Sequence, residues 1–190
     1  MMSYIDESLD GRASIYDSNR EGDRVLVALD VKNLVCGQSQ VYSNTAIDYR
    51  KLLEDILDGR RCVLAVAVDG VFYDERGRDV SRIFHDELKR SGFTVDLVEA
   101  TNGHGKQEGV DIELSLVAFG LADKCDVVEL ITGDGDYTVL IKWLHSKGVR
   151  VNVTSLRRNL SDRLGCSADG VEIADRMPLV RMRSRDAEAE

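Results

Sequence analysis

The chain has 190 residues, a hydrophobic content of 43% and a net charge of -9. This length suits one domain, with or without tails, and the composition is typical of a soluble globular protein. The negative charge argues against a protein that coats DNA, since such proteins are usually basic. It does not argue against a nuclease, because a metal site built of carboxylates is acidic until its cation binds.

No segment of the sequence has the pattern of a membrane span, a signal peptide or a zinc site. No apolar run reaches the roughly 18 residues that a transmembrane helix needs, and residues 1–23 are too polar and acidic for a signal peptide. The four cysteines are widely spaced and include no C-x-x-C pair, which favours a reduced protein without zinc or disulfides. We therefore expect a cytoplasmic protein that binds no membrane.

The predicted elements alternate between strands and helices. Residues 1–23 lack a periodic apolar face and predict a mobile acidic tail. Continuous apolar runs then predict buried strands, and apolar residues at helical spacing predict helices. The predicted strands are 24–29, 62–68, 93–98, 126–131 and 149–153, and the predicted helices are 45–58, 79–90, 109–122 and 136–145. A short helix at 156–165, an edge strand at 171–173 and a charged tail at 176–190 complete the chain.

This alternation predicts an α/β fold of Rossmann-like type. The sheet should be mainly parallel, with five or six strands and helices on both faces, in one domain at residues 24–175. If the strand order is 3-2-1-4-5, the first and fourth strands are neighbours, and the loops after them share one crevice. The helix at 109–122 has almost no polar face, which predicts that it is buried.

Carboxylates follow the first and fourth predicted strands. Asp30 ends the first strand, while Asp134 and Asp136 follow the fourth in the sequence T-G-D-G-D-Y. Ligands bind at this edge of an open α/β sheet, and two acids with two glycines there suit a hard cation. The alternative interpretation is that one aspartate caps the next helix, but one cap explains only one of them.

Asp111 is open to two interpretations. It lies in the first turn of the predicted helix that leads into the fourth strand, so its position relative to the crevice is not fixed by the pattern. A carboxylate in a first turn also gains about 0.3–1 kcal/mol from the helix dipole without any function.

Other motifs and polar groups carry less information. The sequence contains no G-x-G-x-x-G, no P-loop and no G-x-S-x-G, so a dinucleotide site, a P-loop protein and a serine hydrolase are not supported. His85 and His145 lie on predicted helices and are expected at the surface. Trp143 is expected to pack in the core rather than to stack on a base.

Taken in order, the motifs resemble those of the NYN domain, of the LabA-like type within the PIN-like nuclease superfamily. The resemblance rests on Asp30-x-x-Asn33, on Lys106-Gln-Glu-Gly109-Val110-Asp111 and on the T-G-D-G-D-Y motif, over about residues 24–175. It implies a Rossmann-like sheet, a cluster of acids that binds Mg2+ or Mn2+, and cleavage of RNA. The residues that match the family's catalytic site by position are Asp30, Asn33, Asp111, Asp134 and Asp136.

The resemblance also implies roles for these residues. The expected metal ligands are Asp30, Asp111, Asp134 and Asp136, and Asn33 is expected to bind phosphate or a metal-bound water. The expected substrate contacts are Lys32, Thr132, Lys106 and Arg76. The expected partner is RNA, single-stranded or structured, and a homodimer is left open.

Residue 117 departs from the family pattern. Similar domains often carry another aspartate about six residues after the helix acid, and Val117 stands there in this chain. The nearest acid that could replace this aspartate is Glu113, but it is only two residues from Asp111 and so points to a different side of the helix. This departure favours an alternative, a non-catalytic RNA- or protein-binding module that keeps the fold. A small-molecule phosphatase is less favoured, since its second aspartate would fall at Lys32.

Overall fold

The computed structural model describes residues 22–41, 45–98, 109–174 and 179–181. The strands are β1 (Arg24–Asp30), β2 (Thr45–Ile47), β3 (Arg61–Gly70), β4 (Thr94–Val98), β5 (Val127–Ile131), β6 (Arg150–Ser155), β7 (Gly170–Ile173) and β8 (Leu179–Arg181). The helices are α1 (Val31–Val41), α2 (Tyr49–Leu57), α3 (Arg82–Arg90), α4 (Val110–Leu121), α5 (Thr138–Ser146) and α6 (Asp162–Ser167). A 3-10 turn, Gly135–Tyr137, precedes α5.

Six of these strands form one parallel sheet in the order β4-β3-β1-β5-β6-β7. The order confirms the expected arrangement, in which the first strand lies beside the strand that precedes the T-G-D-G-D-Y motif. Leu29 of β1 is in register with Ile131 of β5, so both strands end at the same level. The residues after them, Asp30 and Thr132, therefore meet at the carboxyl edge of the sheet.

Helices cover both faces of the sheet, as the alternating pattern predicted. The apolar side chains of β1 point alternately to the two sides. Val25, Val27 and Leu29 pack with residues of α1, α2 and α3, whereas Leu26 and Ala28 pack with residues of α4, α5 and α6. Within the described ranges, no helix is both long enough and apolar enough to span a membrane.

The prediction of a helix at 45–58 is wrong for its first residues. Residues 45–47 form β2, which pairs antiparallel with β8. The helix begins only at Tyr49, because Asp48 supplies the cap by accepting a hydrogen bond from the Lys51 N–H at 3.0 Å. The partner strand β8 belongs to the segment predicted as a charged tail, and the pattern of 176–190 gave no sign of it.

The N-terminal boundary also differs by one residue. Asp23 falls in the segment predicted as a tail, yet it is buried and forms an ion pair with Arg150. Its backbone carbonyl accepts a hydrogen bond from the Arg61 N–H at 3.2 Å. The chain is therefore anchored to β3 and β6 one residue before β1 begins, while residues 1–21 lie outside the described ranges.

The expectation that α4 is buried is only half correct. Val110, Leu114 and Ala118 are buried against the sheet, but the opposite side of the helix exposes apolar side chains to solvent. The sequence predicted burial because apolar residues surround the helix. Among the described residues, however, packing partners lie on one side of the helix only.

Candidate active site

Asp30 is the centre of the carboxyl edge. It ends β1 and retains only 6% of its accessible surface. One carboxylate oxygen, Oδ1, accepts the Asn33 N–H at 3.0 Å. The other, Oδ2, accepts the hydroxyls of Thr132 and Tyr137, each at 3.2 Å. All three donors are neutral, so no cation among them balances the buried charge.

Burial raises the pKa of the Asp30 carboxyl above its ordinary value, although the hydrogen bonds from Asn33, Thr132 and Tyr137 oppose this shift. The nearby carboxylate of Asp134 raises the pKa further. The same cluster acts on Tyr137, whose hydroxyl pKa is raised by burial first and then by Asp30, Asp111 and Asp134. Three carboxylates therefore act on one buried hydroxyl group.

The T-G-D-G-D-Y motif forms the turn between β5 and α5. The Thr132 hydroxyl accepts the Asp134 N–H at 3.2 Å, and Asp134 Oδ1 accepts the Asp136 N–H at 2.9 Å. Asp134 thus caps the 3-10 turn, as the alternative interpretation allowed for one of the two aspartates. Thr132, expected as a substrate contact, is buried and bonds instead to the backbone of Asp134 and to Asp30.

Asn33 joins two parts of this edge. Its side-chain Oδ1 accepts the Gly133 N–H at 2.8 Å, and its backbone carbonyl accepts the Asn159 side-chain amide at 3.0 Å. These bonds fasten the first turn of α1 to the motif and to the loop after β6. Asn33, expected as a phosphate or water ligand, therefore has a clear positioning role.

The two glycines of the motif allow the loop after β6 to approach closely. A Cβ at Gly133 would lie 2.2 Å from the Asn159 carbonyl oxygen. A Cβ at Gly135 would lie 2.3 Å from Arg163 Nε and 2.6 Å from Ser161 Oγ. At Gly133 the clash is with backbone, so a side chain there would push the loop away from the motif, whereas at Gly135 the side chains of Arg163 and Ser161 would have to move.

Asp136 and Asp111 lie further out than Asp30. Asp136 is exposed and forms an ion pair with Arg163 of α6. Asp111 is exposed in the first turn of α4. Among the described residues, no three acidic, histidine or cysteine side chains are grouped closely enough to hold a metal ion. The four-aspartate ligand set stays a prediction.

A buried pair next to this centre was missed by the sequence analysis. Asp69 lies at the end of β3, beside β1, and its Oδ2 is 3.1 Å from Nε2 of His85. Both side chains are buried, so the expectation that His85 lies at the surface is wrong. His85 turns inward because Asp69 provides a partner inside the fold. The signal was available in the sequence, since Asp69 also follows an apolar run.

The pKa of Asp69 is raised by burial and lowered in part by His85 and by the nearby charge of Lys32. Lys32, an expected substrate contact, is exposed and close enough to this carboxylate to influence it. The other histidine on a predicted helix, His145, is exposed as expected and lies 2.8 Å from Asp169 Oδ2.

The remaining expected substrate contacts are less closely tied to Asp30. Arg76 is exposed in the turn after β3, where its backbone N–H bonds to Asp74 at 2.9 Å. Lys106 lies outside the described residues. The structure adds Arg163, which the sequence analysis did not single out. No local pattern marks it, because its contacts with Gly135 and Asp136 join residues far apart in the chain.

Val117 and Trp143 both pack on the α4–α5 side of the sheet. Val117 is partly buried against the core, so an aspartate is replaced by a packing residue at the position where similar domains often carry one. Trp143 also packs there, partly buried as the sequence predicted, and its ring stacks on Phe119 with 3.3 Å between the centroids.

Comparison with known proteins supports the fold and the motif. The model of one family, described as the NYN domain, matches residues 24–174. A crystal structure of a protein of unknown function from Vibrio parahaemolyticus is 25% identical, with a TM-score of 0.73 over 84% of this chain and 98% of that chain. No functionally curated protein matches.

A possible 1-phosphofructokinase from Thermotoga maritima is 16% identical, with a TM-score of 0.41 over 79% of this chain and 57% of that chain. This likeness is too weak to carry an argument.

Proposed function

The chain belongs to the NYN domain family of the PIN-like nuclease superfamily, and we propose that it is a ribonuclease that hydrolyses RNA phosphodiester bonds with Mg2+ or Mn2+. The observation that carries this proposal is the buried Asp30 carboxylate, whose three hydrogen-bond donors among the described residues are neutral and which lies near Asp134. An acid held in this way costs stability unless a cation binds beside it. Within the part of the chain that the structure describes, no cationic side chain donates a hydrogen bond to this carboxylate.

The oxygen donors of this edge suit a small hard cation. Asp30, Asp134 and Asp111 would hold it, and Asp136 would join them only by giving up its ion pair with Arg163. The outer side chains would need to close on Asp30, because the described residues are not grouped tightly enough as they stand. A bound divalent cation would polarise the phosphate and lower the pKa of a water molecule.

The neutral residues of the site would keep the acids in place. The raised pKa of Tyr137 keeps its hydroxyl protonated, so it can act as a hydrogen-bond donor to Asp30 but not as a base. Thr132 connects Asp30 to the backbone of Asp134, and Asn33 fixes the turn that carries Asp134. We assign these three residues to positioning.

Exposed cations at the same edge would bind the RNA backbone. Lys32 follows Asp30 by two residues, and Arg163 lies against Gly135. Lys106 and Arg76 are the further contacts that the family resemblance suggested. Contacts of this kind position a nucleic acid without reading its sequence, and they make binding weaker at higher salt.

The experiment is a cleavage assay with single-stranded RNA and DNA of the same sequence, labelled at the 5′ end. We expect RNA to be cut in Mn2+ or Mg2+ and to stay intact in EDTA. The Asp30→Asn variant, purified in parallel, controls for contaminating ribonucleases because it should lose the activity. Equal cleavage by the parent and this variant, or in EDTA, would contradict the proposal.

The alternative is a binding module without catalysis. Val117 supports it, because a hydrophobic side chain replaces a potential ligand at that position. A filter-binding or anisotropy measurement on the same RNA separates the two functions. If the parent binds RNA but leaves it uncut in both metals, the binding module takes the place of the ribonuclease.

A further inference from the structure

The outer side of α4 and α5 carries a continuous apolar surface. Ile112, Leu116, Phe119 and Val139 are exposed to 62%, 60%, 48% and 75%. We call these four residues, together with Trp143, the α4–α5 patch. The stacked rings of Phe119 and Trp143 join the two helices into one surface.

Helical spacing accounts for this surface. Ile112, Leu116 and Phe119 follow each other at intervals of four and three residues, opposite the buried side of α4. Val139 and Trp143 are four residues apart on α5. The apolar side chains are therefore concentrated in one stripe, and contiguous stripes of this kind mark interaction sites in soluble proteins.

Another helix of the same fold shows the contrast. The exposed side of α2 carries Arg50, Lys51, Glu54 and Asp55, which is the usual pattern for a helix that faces water. The apolar outer side of α4 therefore contrasts with the charged outer side of α2, whereas α3 also exposes one apolar residue, Ile83.

The two ends of the patch carry charges of opposite sign, so the patch is complementary to a second copy of itself in the reversed orientation. Both helices lead into parallel strands and so run in the same direction, with their first turns at the carboxyl edge of the sheet. Asp111 lies at the beginning of α4, whereas Lys142 lies on α5 and Lys147 follows it, with its ammonium group 5.3 Å from the Trp143 ring. The Asp111 end of the patch is acidic, and at the opposite end Lys124 and Lys147 outnumber Asp123.

We propose that the α4–α5 patch is the interface of a symmetric homodimer. A two-fold axis that lies in the interface at right angles to the helices would reverse the direction of the second copy and bring its Lys147 end opposite the Asp111 end of the first. Such an interface uses one surface twice and needs it to be self-complementary. The apolar stripe would form its centre and the charged groups its rim.

The test is sedimentation velocity across a micromolar concentration series. We expect the parent to be a dimer and Leu116→Glu to dimerise about tenfold or more weakly, since it buries a charge at the centre of the interface. The matched control is Ile83→Glu, because Ile83 is 79% exposed on α3, outside the patch, and this variant should dimerise like the parent. Thermal melting verifies that both variants are folded.

A cross-link tests the position of the axis. In a background with Cys36, Cys62 and Cys166 changed to Ser, Leu116→Cys should form a disulfide between two copies on oxidation, whereas Ile83→Cys should not. A parent that is monomeric at every concentration would overturn the proposal, because the patch would then serve a different partner. Dimers that survive Leu116→Glu unchanged would overturn it as well.

Discussion

Aspartates occupy both edges of the sheet, and their hydrogen-bond partners and pKa shifts differ between the two edges. At the amino edge, Asp126 accepts three hydrogen bonds from Arg24, at 2.8, 3.0 and 2.9 Å, and this arginine lowers the pKa of Asp126 to about 2. At the carboxyl edge, the described residues that donate hydrogen bonds to Asp30 are all neutral, and burial raises its pKa. The pKa of an aspartate is therefore lowered at the amino edge and raised at the carboxyl edge.

The difference separates a structural acid from a candidate functional one. An ion pair at a half-exposed edge stabilises the fold modestly and needs nothing else. A buried acid without a cation destabilises the fold in its ionised form. Strongly perturbed acids of the second kind are concentrated at functional sites. Variants that replace one of these acids at a time test this contrast.

The largest effect is expected on RNA cleavage. Asp30→Asn keeps the shape of the side chain and removes its charge, so hydrolysis should fall by about 100-fold or more, since charge is needed to hold the metal. Asp126→Asn makes the same chemical change at the amino edge and should cleave like the parent. Initial rates on one labelled RNA in Mn2+ measure both. Similar losses in the two variants would mean that the effect reflects stability and not the site.

The next effect is on stability in the presence of metal. A cation that binds only the folded protein stabilises it by about 2.7 kcal/mol at 100 times its dissociation constant, and the melting temperature should rise by roughly 5–10 °C for a chain of this size. Differential scanning fluorimetry with a Mn2+ titration measures the rise. The double variant Asp30→Asn/Asp134→Asn should show no rise, whereas Asp126→Asn should keep it. A rise that persists in the double variant would locate the ion elsewhere.

A smaller effect is expected without metal. In EDTA at neutral pH, Asp30→Asn should melt higher than the parent by a few degrees, because it removes a carboxylate whose ionised form is disfavoured by burial. Asp126→Asn should melt lower, since it breaks an ion pair. The two variants should therefore change the melting temperature in opposite directions. If both variants melt lower, the Asp30 carboxylate is stabilising and the contrast fails.

The smallest effect is the pH dependence of the Asp126 ion pair. Its pKa is lowered from the ordinary 3.8 to about 2, so the stabilisation is fully present above pH 3.8 and is lost as the pH falls to about 2. Asp126 is half exposed, so this contribution stays below about 1 kcal/mol. The melting temperatures of the parent and Asp126→Asn should differ by about 2 °C at neutral pH and converge towards pH 2. A constant difference would assign the effect to something other than ionisation.

The parallel sheet and its polar carboxyl edge could be predicted because strands that are continuous apolar runs, each followed by a polar residue, alternate with helices. The strand order itself was assumed from the usual topology of such folds. Asp30 and the T-G-D-G-D-Y motif were predicted at one edge for the same reason, and the structure joins them through Thr132 and Tyr137. The strand at 45–47 was missed, since three residues show no period and their pairing partner is more than 130 residues away. His85 was misplaced because helical spacing alone does not reveal a buried partner on another element.

By itself, the sequence determined the alternation of strands and helices, the parallel sheet and the identity of the acids at its carboxyl edge, because these depend on local periodicity and on where each apolar run ends. Only the tertiary structure decided which acids are buried and which are paired. Asp136 meets Arg163, Asp126 meets Arg24, and Asp30 meets three neutral donors among the described residues. These environments are set by residues distant in the chain, and burial and charge depend on three-dimensional neighbours that no local pattern encodes.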